Sequence, residues 1–164
     1  MAVRVREIQQ PIRVGANIVT DQQIVPGIAT GAAYADLDQI GSLFAFPNVV
    51  RPSVQTGTLN GAFYWDLDDE GLQVNLWLFS APVTLAADNA AFALSDADLV
   101  KVVAVIPFVT FFDAANGMFS QVAGISLPIE TGPDCTVYAA LQARGALNIA
   151  VLNLPRFSLG ILAD

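Results

Sequence analysis

The residues best equipped for chemistry in this chain are its acids. Asp66, Asp68, Asp69, Glu70 and Gly71 echo the opening of a calcium-binding loop, in which spaced carboxylates and a glycine wrap a hard cation. Such a loop needs a bidentate glutamate at its twelfth position, where this chain has Trp77, and the flanking residues read as strands. A solvated hairpin turn is therefore the preferred reading, with calcium as the alternative. Asp88, Asp96 and Asp98 form a second group that could hold a metal or share a proton if burial shifted their pKa values. Asp96 and Asp98 also fit the first turn of a short helix capped by Ser95, and Asp88-Asn89 fits a turn that caps its own backbone. Cys135 is the single cysteine and there is no histidine, so a thiol nucleophile has no imidazole to activate it and His-based triads and zinc sites are excluded. No G-x-S-x-G, phosphate loop or dinucleotide fingerprint occurs. The expectation is a protein that is not an enzyme and uses no cofactor or metal.

These groups sit on a β pattern. Residues 58–67 alternate in hydrophobicity, and the alternation resumes at 72–79 after the acidic turn. Placing Leu67 opposite Leu72 pairs Trp65 with Val74 and Phe63 with Leu76 on one face, which predicts an antiparallel hairpin. Tyr64, Trp77 and Phe79 then fall on the opposite face, where they could cover a second layer, meet a protein partner or stack on a sugar. Further strands are expected at 40–46, 100–112, 118–127, 135–142, 147–152 and 156–163. Residues 100–112 read as covered on both faces, with Pro107 demanding a bulge, a bend or an edge. The one helix signal is Ser95-Asp96-Ala97-Asp98. The spacing predicts an all-β, jelly-roll-like antiparallel sandwich of about eight or nine strands with one short helix.

Composition narrows the partners. The 164 residues are 54% hydrophobic and 13% charged, and a net charge of −8 disfavours nucleic acid. The longest uncharged run, 71–87, is broken by Gln73, Asn75 and Pro82, so no membrane span is expected. Nor does the N-terminus show an apolar signal-peptide core, and the expected product is soluble and intracellular. An apolar chain with so few charges suggests surface buried by partners, as in oligomers. Residues 1–13 carry Arg4, Arg6 and Arg13 against Glu7 alone, while the remainder is acidic. Residues 1–20 therefore read as an extended arm on a β-sandwich domain of 21–164, the alternative being a first edge strand that uses Ile12, Val14, Ile18 and Val19. The residues expected at a protein interface are Arg4, Arg6, Arg13, Tyr64 and Trp77.

A series of segments carries a resemblance: Ala33 to Gly41, Leu72 to Pro82, Asp88 to Phe92, Ser95 to Asp98, and Tyr138 to Gly145. In this order they resemble a family of small structural proteins of tailed bacteriophages, regarded as capsid decoration or cement proteins. The likeness covers roughly 33–164 and carries over no binding residue. It implies a jelly-roll-like fold and oligomers, commonly trimers, on the outer capsid surface of a virion assembled in the bacterial host cytoplasm. The implied partners are the major capsid protein of the same virus and further copies of the chain. A tail or fibre component of the same fold, and a carbohydrate-binding module using Trp77 and Tyr64, are the alternatives.

Overall fold

The computed structural model describes residues 16–29, 33–149 and 154–163. Two antiparallel sheets face each other across an apolar core, forming a β-sandwich with one short helix. The first sheet is built on β1 (Ala16–Val19), β2 (Gln23–Ile24), β5 (Thr56–Asp66), β8 (Phe112–Asp113), β9 (Met118–Glu130) and β12 (Arg156–Ala163), in the order β1-β12-β5-β9-β8 with β2 also on β12. The second has the order β4-β10-β6-β7, from β4 (Gln39–Phe46), β10 (Val137–Ala143), β6 (Val74–Phe79) and β7 (Val102–Phe108). A small ladder pairs β3 (Ala33–Tyr34) with β11 (Leu147–Asn148). Helix α1 spans Asp96–Leu99 and is capped by Ser95, whose side chain accepts from the Asp98 amide, as its sequence predicts. The segment 16–19, assigned by sequence to the arm, is edge strand β1.

The expected hairpin of 58–79 does not form. β5 and β6 lie in different sheets: β5 pairs with β12 and β9, and β6 with β10 and β7. Alternation fixes which face of a strand is apolar but not which strand lies beside it, so two half-buried strands satisfy the pattern equally well stacked across a core. The acidic turn makes that crossing. The Asp66 carboxylate, 1% exposed, accepts from the amides of Asp68 and Leu72, both at 3.0 Å, so this acid caps a chain reversal and is not solvated.

The parity of β5 also changes within the strand. Its register slips between Leu59 and Gly61 against β9, and between the residues facing Gly160 and Ile161 on β12. Leu59 points inward before this bulge, and Ala62, Tyr64 and Asp66 point inward after it. Tyr64 therefore sits in the core, 0% exposed, stacked on Phe157 at 4.7 Å and 14°, with Phe108 and Phe111 edge-on at 5.5 and 5.7 Å. The inward row Val74, Leu76 and Leu78 of β6 faces the same core, and Phe79 is buried beside it.

β7 is an edge strand, which accommodates Pro107, but it is not covered on both faces: Val105 and Pro107 are exposed while Ile106 and Phe108 are buried. On the same flank of the sandwich, β9 beyond Phe119 has only β5 beside it among the described residues. That free stretch carries Pro128 and positive φ at Gly124 and Ser126. Neither free edge thus presents an unbroken row of amide donors.

Candidate functional site

The bulge in β5 turns Phe63 and Trp65 to the outer face of the six-stranded sheet. Directly opposed residues share a face, so one transverse row runs Ile24, Arg156, Trp65, Phe119 and Phe112 across five strands. Phe119 lies 5.5 Å from Trp65 and 6.3 Å from Phe63, ring centroid to ring centroid, and Phe63 packs over Gly160. Phe112 is 57% exposed, Ile24 47% and Val19 61%. Val19 opposes Gly160, and Leu162 opposes Thr58, so both continue the same face. The result is a half-exposed aromatic and aliphatic surface of a kind enriched at protein interfaces. Its row holds one charge, Arg156, whose Nε is buried without a hydrogen-bond partner among the described residues.

Trp77 lies on the outer face of the other sheet and is already engaged. Its ring stacks on Phe92 at 5.0 Å, and its Nε1 donates to Gln142 Oε1 at 3.1 Å. Asn75 donates to the same oxygen at 2.9 Å, and Arg144 donates to Asn75 Oδ1 at 3.0 Å. Half-buried Trp77 thereby pins the loop before α1 against its sheet.

Asp88 also belongs to architecture, and over a longer range than the local cap its sequence suggests. Its carboxylate accepts from the Ala29 amide at 2.6 Å, the Gly41 amide at 2.5 Å and the Tyr34 hydroxyl at 2.9 Å. Gly41 has φ +65, and a Cβ there would fall 2.5 Å from the Pro26 carbonyl oxygen, so the approach requires glycine. Asp98 accepts from Lys101 at 2.8 Å and from Ser95 at 2.9 Å, and the lysine contact, more than any other, holds its carboxyl below the usual range. Cys135 is buried. No group of three or more His, Cys, Asp or Glu residues is placed to hold a metal among the described residues.

Of the expected interface residues, Arg4, Arg6 and Arg13 lie outside the described residues, Tyr64 is inside the core and Trp77 is half-buried under Phe92. Tyr64 cannot meet a partner from there, because its whole ring is enclosed between the sheets. The exposed aromatic row was missed because continuous alternation put Phe63 and Trp65 inside. Glycines within strands, here Gly61 and Gly160, are the sequence signal for such a slip.

All three tyrosines are held neutral. Burial raises Tyr34 and Tyr64, the first aided by its bond to Asp88, and the bond to Asp134 raises Tyr138. A raised phenol contributes stability that is complete below its unfolded value of about 10 and is lost as pH climbs towards the folded one. Alkaline titration should therefore show at most one phenolate, that of Tyr138, before the fold is lost. Three phenolates in a protein with native circular dichroism would contradict the burial of Tyr34 and Tyr64.

No family model, curated protein or solved structure matches this chain. No helix is long and apolar enough to cross a membrane among the described residues.

Proposed function

We propose that the chain is a non-enzymatic structural protein of a tailed-bacteriophage virion. It binds the outer surface of the capsid and clamps neighbouring major capsid subunits, acting as a homo-oligomer for which the resemblance implies three copies. The observation that carries this reading is the outer face of the six-stranded sheet, where Phe63, Trp65, Phe112 and Phe119 form a surface suited to the contacts by which copies of the chain associate. The strand order supports it as well. With short strands aside, the sheets read first-eighth-third-sixth and second-seventh-fourth-fifth, the double Greek key of a jelly roll, an architecture shared by viral capsid and lectin domains.

The mechanism is passive. Contacts that exist only in the assembled shell stabilise that state by mass action, and several copies in one oligomer multiply weak contacts. The test is co-sedimentation of the purified chain with shells that lack it. Saturable binding together with a higher shell-disruption temperature is the expected result. No pelleting at micromolar concentration, or specific retention on a glycan array instead, would defeat the reading.

A further inference from the structure

We infer that the outer face of the six-stranded sheet is where two copies of this chain pack on each other, with Arg156 of each against Glu130 of the other. This rests on the self-association part of the proposed function and departs from the three copies that the resemblance implies, because a two-fold contact closes at two.

The argument begins with the charges of the face. Glu130 opposes Thr56 at the far end of β9 and is exposed on the same outer side as Thr58 and Pro128. Arg156 stands at the other end, on β12, between Ile24 and Trp65. These two are the charged strand positions of the face among the described residues. Between them lie Phe63, Trp65, Phe119, Gly61, Ala123 and Leu162, together with the uncharged polar Gln121, Ser158 and Thr58. A single cation and a single anion at opposite corners of an apolar surface make that surface complementary to itself. A two-fold axis lying in the contact plane, perpendicular to the diagonal joining the corners, carries each Arg156 onto Glu130 of the second copy. Isologous contacts have this property: whatever i does to j, j does to i.

The other described cations are placed differently. Lys101 is paired with Asp98 at 2.8 Å and Arg144 is bonded to Asn75. Arg51 stands on an exposed turn away from the strands. Arg156 stands half-buried in an apolar row with no ion pair among the described residues, so an anion from a second copy would meet its guanidinium beside the ring of Trp65.

The size of the face also suits a second copy. The long strands β5, β9 and β12, with the short β1, β2 and β8 beside them, at about 3.3 Å per residue and about 4.8 Å spacing, give roughly 600 Å² per copy, somewhat under the ~800 Å² that each partner buries in a stable interface.

The test is sedimentation equilibrium of the full chain across micromolar concentrations, with circular dichroism and melting to verify folding. Wild type should sediment as a dimer, at twice 17.3 kDa. Arg156→Glu and Glu130→Arg should each weaken self-association by about tenfold or more, because either reversal sets like charges together at both corners. The double exchange Arg156→Glu/Glu130→Arg should restore it. Phe112→Ser removes an exposed ring, leaves the core untouched, and should weaken association as well. A trimer or other oligomer unmoved by these changes would overturn the inference and leave the proposed function standing. A wild-type monomer would overturn both the inference and the homo-oligomer. Loss of shell binding in folded variants with unchanged self-association would assign the face to the shell, overturning the inference while supporting the proposed function.

Discussion

Phe157→Ala is expected to cost about 4 kcal/mol of stability, within the range for removing a buried phenylalanine. The ring is 0% exposed, stacks on Tyr64, and meets Phe108 at 5.7 Å and Phe44 at 6.1 Å. It therefore ties β12 and β5 of one sheet to β4 and β7 of the other. β12 is held in register by β1, β2 and β5, so the backbone cannot collapse far into the space left behind. Denaturant unfolding at a fixed protein concentration is the measurement, with a melting temperature lowered by about 10 °C. A loss below about 1 kcal/mol would mean that the ring is not a packing centre.

The second large effect should come from Asp88, although it is only half-buried. Asp88→Ala strips an acceptor from the amides of Ala29 and Gly41 and from the hydroxyl of Tyr34, which is 1% exposed. Leaving the buried donors unsatisfied costs about 1–3 kcal/mol each, and discounting for solvent access gives a total of about 3 kcal/mol. Asp88→Asn keeps one good acceptor oxygen but turns an amide donor towards another donor, so it should fall between alanine and wild type. Hydrogen exchange at Gly41 and Ala29 should accelerate in both variants. Exposed Asp96 serves as the control, and its alanine variant should change stability by less than about 0.5 kcal/mol. Equal losses at 88 and 96 would show that the long-range bonds contribute nothing.

How much of this was legible beforehand depends on what kind of signal each feature carries. Strand positions at 40–46, 118–127 and 156–163 and the Ser95 cap were readable because alternation and capping are local. The inward face of Leu72, Val74, Leu76 and Leu78 was equally plain. The partners of β5 and β6 were not, since pairing is settled by contacts distant in sequence. The outer aromatic row failed for a sharper reason: one extra residue near Gly61 inverts every later side chain of β5, moving Tyr64 in and Trp65 out. Asp88 was visible as a turn residue, but its three donors come from segments more than forty residues away. Arg156 carries no local signal, because an isolated arginine acquires meaning only from the rings beside it.

The interrupted flank formed by β7 and β9 bears on what happens when many copies of the chain crowd together. An open sheet edge is a template on which another chain can lay a strand, and repeated addition grows cross-β fibres. Pro107 and Pro128 withhold an amide from any strand that tries to dock there, and the irregular stretch around Gly124 and Ser126 spoils its register. Crowded copies are thereby steered away from edge-to-edge polymerisation.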